Sequence, residues 1–309
     1  MTAPRIGTLR MALLLGLVVS LLIQMAGSAH AQDLLISNVS DDSIGRYNGT
    51  TLTTFVSSGR NGIQAVRDMQ YGPDGNLYVT SQANNSIYQL DPQGNFLKVF
   101  ATGGTSLNRQ TFGPDGNLYV TDDGPTSQVL RFNGQTGAYM GVFASGGGLG
   151  LPRGLKFGPD GNLYVVSGQA GGYILRYNGT TGTYIDKFAS GNLMNPIDLT
   201  FGPDNNLYVT DVTANKVVRY NGTTGQSMGD FVAAGSGGLL VPVDLKFQGN
   251  YLYVAGRDSH QVLRYDARTG AYVDAYVSGG ATISRFACCL FPPRPLLLPS
   301  ISTKMVTPT

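Results

Sequence analysis

The amino-acid sequence predicts an all-β fold built from repeated four-stranded units. Three observations support this: the composition, a repeated nine-residue phrase and its nearly constant spacing. The chain has 309 residues, of which 43 are glycine and only 13 % are charged, and it contains neither tryptophan nor glutamate. Long helices use Glu and Lys, whereas Gly, Asn, Thr, Tyr and Val are typical of strands and tight turns. A hydrophobic share of 42 % is enough for a packed core, which excludes a wholly disordered chain.

The repeated phrase is Phe-Gly-Pro-Asp-Gly-Asn-Leu-Tyr-Val, with small variations. Its first residue is an aromatic side chain, here called the anchor. Successive anchors are 41, 45, 44 and 46 residues apart, and the last copy is degraded. Internal repeats of this length are typical of propeller blades and of solenoid coils. The anchors are Tyr71, Phe112, Phe157, Phe201 and Phe247.

One unit can be divided into four strands separated by turns. Gly158–Asn162 and Asn178–Gly182 carry the Pro, Asn and Gly signals of tight turns between antiparallel strands. A solenoid would need shorter repeats without such paired hairpin turns. Four antiparallel strands in about 44 residues match one blade of a β-propeller. The predicted strands are 152–157, 163–166, 173–177 and 183–189.

The two ends of the chain predict six blades, because seven would require a blade that the sequence does not show. Residues 34–37, 43–47 and 52–56 read as the second, third and fourth strands of a blade whose first strand is missing. About 44 residues beyond the last anchor, Phe286–Pro293 ends in Phe-Pro-Pro and can supply that strand. Both ends would then build one composite blade. This closes the ring and removes free sheet edges, which promote aggregation.

The termini differ from the repeats. Arg5 and Arg10, the apolar run Met11–Ile23 and the closing Ala-His-Ala predict a signal peptide at residues 1–31 and a secreted or periplasmic protein. The alternative is a membrane anchor, but the run is shorter than the roughly 20 residues that a spanning helix needs. The domain is predicted at residues 32–293, without an integral membrane segment, and residues 294–309 as a poorly ordered tail.

Removing the signal peptide would change the charge balance. Its two arginines account for the whole excess of 21 basic residues over 19 acidic ones. The remaining chain is formally neutral. A partner that demands a basic surface, such as nucleic acid, is therefore not expected.

The repeated phrase resembles that of NHL-type repeat propellers of the bacterial secreted type. Streptogramin lyase and gluconolactonase-like propellers are similar to this type. The resemblance covers residues 34–293. It implies a ring with two different faces. Turns between the first and second and between the third and fourth strands lie on one face, here called the plain face. The second-to-third loops and the blade-to-blade connections lie on the other, the loop-rich face, around the central channel.

The repeated aspartates are interpreted as turn formers of the plain face, namely Asp74, Asp115, Asp160 and Asp204. A less uniform column lies three residues before each anchor, where the inner strands reach the channel. It consists of Asp68, Arg109, Gly154, Asp198, Asp244 and Cys288. Carboxylates suit Ca²⁺ or Mg²⁺, so Asp68, Asp198 and Asp244 are the candidate metal ligands. Arg109 suits an anionic group.

The loop-rich face adds Asp122, Asp211, Asp258 and His260 to the candidate ligand-binding residues at the channel mouth. The simpler interpretation is that these polar side chains cap strand ends and bind ordered water. Cys288 and Cys289 are adjacent and have no third cysteine to pair with, so neither a disulfide nor a metal site is expected from them.

The sequence lacks the residues that related propellers use for catalysis. His260 is the only histidine after residue 31, and there is no glutamate. No catalytic residue and no cofactor is therefore predicted, apart from Ca²⁺ or Mg²⁺. The favoured function is a binding or interaction module for a protein, glycan or small-molecule ligand. The alternatives are a divalent-metal-dependent lyase or lactonase at the channel mouth and a purely structural cell-surface repeat.

Overall fold

The computed structural model describes residues 33–38, 41–169 and 171–278, and the backbone of 288–290. The predicted signal peptide and C-terminal tail lie outside these residues. The described residues form six four-stranded antiparallel sheets. The fold is thus a six-bladed β-propeller, as predicted. No helix within the described ranges has the length and apolar character needed to cross a membrane.

The strands are numbered β1 to β24 in chain order, and each blade is given from the channel outward. The composite blade has β24 (Cys288–Leu290), β1 (Leu34–Asn38), β2 (Ser43–Tyr47) and β3 (Leu52–Val56). Blade 1 has β4 (Val66–Tyr71), β5 (Leu77–Ser81), β6 (Ser86–Leu90) and β7 (Phe96–Thr102). Blade 2 has β8 (Leu107–Phe112), β9 (Leu118–Asp122), β10 (Gln128–Phe132) and β11 (Tyr139–Ala144).

The other three blades follow the same order. Blade 3 has β12 (Pro152–Phe157), β13 (Leu163–Ser167), β14 (Tyr173–Tyr177) and β15 (Tyr184–Ala189). Blade 4 has β16 (Pro196–Phe201), β17 (Leu207–Asp211), β18 (Lys216–Tyr220) and β19 (Ser227–Val232). Blade 5 has β20 (Pro242–Gln248), β21 (Tyr251–Gly256), β22 (Gln261–Asp266) and β23 (Tyr272–Val277). Two 3₁₀ turns, Arg60–Gly62 and Ser236–Gly238, lie in blade-to-blade connections.

Strand β24 closes the ring. It pairs antiparallel with β1, with Cys288 opposite Ile36 and Leu290 opposite Leu34. Strand β24 also contacts the inner strands of both neighbouring blades, β20 and β4. The composite blade predicted from the two chain ends is therefore confirmed.

The repeated plain-face turn is held together by its aspartate. The carboxylate of Asp115 accepts hydrogen bonds from the Asn117 backbone N–H at 3.1 Å, from Asn117 Nδ2 at 2.8 Å and from the Tyr119 hydroxyl at 2.8 Å. Asp74, Asp160 and Asp204 make the same three bonds in their blades. The interpretation of these four residues as turn formers is confirmed.

The same phrase also joins neighbouring blades. The ring of Tyr119 packs edge-on against Phe143 of its own blade, with ring centres 4.7 Å apart, and against the anchor Phe157 of the next blade at 5.0 Å. Tyr78, Tyr164 and Tyr208 make equivalent pairs of contacts. Edge-to-face pairs contribute beyond the apolar area that they bury. The anchor is thus conserved from blade to blade in this chain because each anchor fills its neighbour's core.

Candidate functional site

The inner strands bring four predicted site residues together halfway along the channel. Asp68, Arg109 and Asp198 are each 5 % exposed, and Asp244 is fully buried. They come from blades 1, 2, 4 and 5 and occupy the same position, three residues before each anchor. This level of the channel is here called the waist. Because buried charges are costly unless they are compensated, the arrangement of the four groups decides what the waist can do.

Arg109 spans the channel at the waist. Its Nη1 lies 3.1 Å from Oδ2 of Asp244 and 3.6 Å from Oδ1 of Asp68, and its Nη2 donates to the backbone oxygen of Val243. Arg109 belongs to blade 2 and Asp244 to blade 5, and these blades face each other in a ring of six. The guanidinium therefore forms a strut between opposite walls. Burial acts to lower the pKa of Arg109, and the three carboxylates outweigh burial and raise it.

Asp198 is the least compensated carboxylate of the waist. In the described part of the chain, no hydrogen bond or ion pair within 4 Å is made by its side-chain oxygens. Gly154 of blade 3 provides the room for it, since a Cβ atom there would lie only 2.5 Å from Oδ1 of Asp198 and 2.8 Å from its Cα. The gap that Gly154 leaves in the column is thus filled by the side chain of the next blade.

The environment of Asp198 opposes its ionisation. Burial raises its pKa to about 6, with repulsion from Asp244 acting in the same direction and attraction to Arg109 in the opposite one. A carboxyl group with a raised pKa favours folding when it is protonated. Its charge therefore costs stability above about pH 6, and this cost disappears as the pH falls toward 3.8, the ordinary value.

Two lysines that the sequence analysis missed also face the channel. Lys156 and Lys246 stand one residue before their anchors, and Nζ of Lys246 lies 3.9 Å from Oδ1 of Asp244. Lys156 interacts electrostatically with Lys246 and with the three waist aspartates, which belong to three other blades. Side chains two residues apart on a strand share a face, so the alternation along each inner strand was the signal that could have revealed both lysines.

Asp122 and Asp211 lie at the ends of second strands and hold the blade-to-blade connections. Asp122 accepts hydrogen bonds from the backbone N–H groups of Thr105 at 3.1 Å and Ser106 at 2.7 Å. Asp211 does the same for Met194 at 2.5 Å, and for the residue after it. Both aspartates are fully buried. The structure therefore does not bring them to the waist, and their carboxylates are already occupied by backbone donors.

Asp258 and His260 lie together in the second-to-third loop of blade 5, away from the waist. Oδ1 of Asp258 is 2.7 Å from Nε of Arg257, and both side chains are solvent-accessible. His260 has a φ of 53°, which Asn85 and Asn215 also adopt in blades 1 and 4, at 48° and 54°. Asn and His tolerate this left-handed conformation better than most residues. The position of His260 is therefore explained by the loop.

The predicted metal ligands do not surround an open position. Across the described ranges, no three His, Cys, Asp or Glu side chains are close enough together to hold a metal ion. Within the waist, Arg109 lies against Asp68 and Asp244 where a cation would have to bind. Ca²⁺ or Mg²⁺ binding by Asp68, Asp198 and Asp244 stays a prediction, and it would require Arg109 to move.

The loop-rich mouth of the channel has a polar half, formed by blades 1 to 3. Nε of Arg67 donates to Gln82 at 2.6 Å, and Nε2 of Gln82 donates to the hydroxyl of Ser106 at 2.9 Å. Asp123 lies 2.9 Å from Nη1 of Arg153. These side chains link successive blades through hydrogen bonds near solvent.

Three connections on the loop-rich face each expose a large apolar side chain. Leu151, Met194 and Leu240 lie in the connections that lead into the inner strands of blades 3, 4 and 5. They are 44 %, 57 % and 45 % exposed, respectively. Large apolar side chains that cluster on an exposed surface mark interaction sites more often than isolated ones do. The mouth thus offers hydrogen-bonding groups from blades 1 to 3 and exposed apolar side chains from the connections that lead into blades 3 to 5.

Comparison with known proteins agrees with this architecture. A search of the curated proteins found no match. Among solved structures, nidogen in a nidogen/laminin complex superposes with a TM-score of 0.70 at 18 % identity, covering 84 % of this chain and 98 % of that one. A protein of unknown function from Bacteroides caccae gives 0.64 at 16 % identity, covering 84 % and 99 %. Virginiamycin B lyase from Staphylococcus aureus gives 0.59 at 16 % identity, covering 80 % and 86 %.

These identities are low, so the structural likeness supports the fold alone. The family of the chain is shown by its sequence. Residues 19–228, about two thirds of the chain, match the family model described as SMP-30/Gluconolactonase/LRE-like region. The chain therefore belongs to the SMP-30/gluconolactonase/LRE-like family of β-propellers.

Proposed function

We propose that the protein is an exported binding module that holds its ligand at the loop-rich mouth of the channel. The observation that carries this proposal is the two-sided mouth, polar along blades 1 to 3 and apolar at Leu151, Met194 and Leu240. The repeat does not require this asymmetry, because other blades have Gln64 or Gly150 where blades 4 and 5 have Met194 and Leu240.

The ligand chemistry follows from the two halves. An apolar edge of the ligand would cover the exposed leucine and methionine side chains, gaining roughly 25 cal/mol for each Å² removed from water. Hydroxyl, amide or carboxylate groups on its other edge would bond to the polar half. A protein segment, a glycan or a small molecule with two such edges satisfies this requirement.

Peptide and glycan arrays probed with the purified protein test the proposal. The informative variant is Met194→Asp combined with Leu240→Asp, which places charges on the apolar half. The matched control is Met140→Asp on the outer strand β11, where the methionine is 43 % exposed. Binding that the double variant loses and the control keeps would support the mouth as the site. Binding that the double variant retains in full would contradict it.

Family membership favours a second candidate, a metal-dependent lactonase or lyase that uses Asp68, Asp198 and Asp244. Thermal melts with and without Ca²⁺ or Mg²⁺, together with a lactone-hydrolysis assay on gluconolactone, test it. Stabilisation by either cation that disappears in Asp198→Ala would support the metal site. Melts unchanged by both cations, with no hydrolysis in their presence, would leave binding as the function.

Export is a separate part of the proposal and rests on the N-terminal sequence. Cleavage after Ala31 would leave Gln32 as the first residue of the mature protein. N-terminal sequencing of the protein recovered from a cell that exports it tests this directly. A first residue upstream of Ala31 in fractionated membranes would instead indicate an anchored protein.

A further inference from the structure

The plain-face end of the channel is lined by hydrogen-bond donors. Each of the five complete blades places one polar side chain immediately before its anchor, where the inner strand approaches the plain-face turn. Every one of these side chains carries at least one donor, and none is a carboxylate. They are Gln70, Thr111, Lys156, Thr200 and Lys246, here called the donor ring.

Two donors of this ring lack an acceptor. Nε2 of Gln70 is buried and, within the described residues, has no hydrogen-bond partner. Lys156 is half-buried, and its ammonium group makes no hydrogen bond or salt bridge to any residue that the structure describes. An unmade hydrogen bond on a buried donor costs stability, and more so for a charged group. Both donors are therefore placed to gain from an acceptor that the chain itself does not supply.

The lysines of the ring face the same space. Lys156 belongs to blade 3 and Lys246 to blade 5, and repulsion between them contributes, after burial, to lowering the pKa of Lys156. Lys156 also interacts electrostatically with the aspartates of blades 1, 4 and 5, as a side chain directed toward the channel would. Arg109, at the waist, lies between the donor ring and the loop-rich mouth.

We propose that the donor ring binds a small oxyanion, such as a carboxylate or a phosphate or sulfate group, which enters from the plain face. One oxyanion between Lys156 and Lys246 would relieve their repulsion. It would also give Gln70 Nε2 an acceptor. Charge-assisted hydrogen bonds of this kind are roughly twice as strong as neutral ones. The site does not depend on the function proposed for the loop-rich mouth.

The experiment measures thermal melts of the full mature chain with sodium sulfate or sodium acetate. Ionic strength is held constant with sodium chloride, and all melts are recorded at one pH. Sulfate stands for phosphate and sulfate esters, whereas acetate stands for carboxylates. We expect saturable stabilisation by one of the two anions. In Lys156→Met, the apparent dissociation constant is expected to rise at least about 10-fold.

Lys98→Met is the matched control, because Lys98 is exposed on the outer strand β7. It should respond to the anion as the unchanged chain does. General stabilisation by sulfate would be the same in all three proteins and would overturn the proposal, as would the absence of any saturable shift.

A second measurement avoids the risk that Lys156→Met does not fold. Acetic anhydride modification of the unchanged chain, read by mass spectrometry, reports the accessibility of each lysine. Saturating anion should protect Lys156 and Lys246 but not Lys98. Equal modification of Lys156 with and without the anion would overturn the proposal even if the variant were lost.

Discussion

The aspartates of the plain-face turns and those of the channel waist are the same chemical group in opposite situations. The turn aspartates recur in four blades, and each accepts hydrogen bonds from an asparagine and a tyrosine. Burial acts to raise the pKa of Asp115, but these hydrogen bonds outweigh it and lower the pKa. At the waist, burial prevails and raises the pKa of Asp198 to about 6.

The difference separates structural carboxylates from candidate functional ones. In the four turns, the environment of the aspartate stabilises the ionised form, and the fold gains from it. At Asp198 of the waist, the ionised form opposes folding. A chain that retains a destabilising buried charge is consistent with selection for something other than stability. The following predictions test this distinction, beginning with an element that is unrepeated and yet structural.

Strand β24 should be essential although no other blade is closed in the same way. Truncation after residue 287 removes it and leaves β1 of the composite blade as an unpaired edge at the channel. We expect the melting temperature to fall by roughly 10 °C or more, measured by circular dichroism. Truncation after Pro293 keeps β24 and is the control. Equal melting of both truncated chains would mean that the ring does not depend on this strand.

Arg109→Met should be the most destabilising single substitution at the waist. It removes the strut and leaves Asp68, Asp198 and Asp244 without their shared cation. Breaking a buried ion pair from one side costs about 3–5 kcal/mol, which urea denaturation at pH 7.5 would measure. The loss should shrink at pH 5, where Asp198 is protonated.

Arg176→Met provides the comparison, because Arg176 pairs with the solvent-exposed side of β15 through Asp186 at 2.6 Å. Exposed pairs contribute at most about 1 kcal/mol. Equal losses of unfolding free energy for the two arginine variants would mean that the ion pairs of the waist stabilise the fold no more than a surface pair does.

Asp198→Asn should stabilise the protein at neutral and higher pH. The pKa rise from 3.8 to about 6 corresponds to about 3 kcal/mol between the two protonation states, and the amide keeps the shape of the protonated acid. Urea denaturation from pH 4 to pH 8 should show no difference from the unchanged chain at the low end and the full gain above pH 6. A destabilised variant at pH 8 would show that the ionised carboxylate supports the fold.

The strand boundaries could be predicted to within about one residue because characteristic residues mark the turns between the strands. Gly and Pro fix the plain-face turns, so the second and fourth strands of blade 3 were placed within one residue of Leu163–Ser167 and Tyr184–Ala189. Even the composite blade followed, because a spacing of about 44 residues led from the last anchor to β24.

The site could be predicted only in part. Position in the repeat indicated which residue of each inner strand faces the channel, and Asp68 and Asp244 both lie against Arg109. It could not show how far a side chain reaches, and so the strut of Arg109 across the ring was not foreseen. Lys156 was not predicted, because it lies two residues after Gly154, outside the column three residues before each anchor. Asp122 was predicted as a ligand because its neighbours in sequence give no sign of a partner. The backbone N–H groups that bond to its carboxylate lie some 16 residues earlier in the chain.

Asp115→Ala should have a smaller effect than the waist substitutions, with the opposite pH dependence to Asp198→Asn. It leaves the buried hydroxyl of Tyr119 without its acceptor, which costs about 2 kcal/mol. Because the pKa of Asp115 is lowered, the carboxylate stabilises the fold fully above its ordinary pKa of 3.8 and loses that contribution as the pH falls further. A cycle with Tyr119→Phe measured by urea denaturation isolates the pair, since the two losses should be less than additive. If the Asp115→Ala loss instead grew on acidification, the turn and waist carboxylates would not differ in kind.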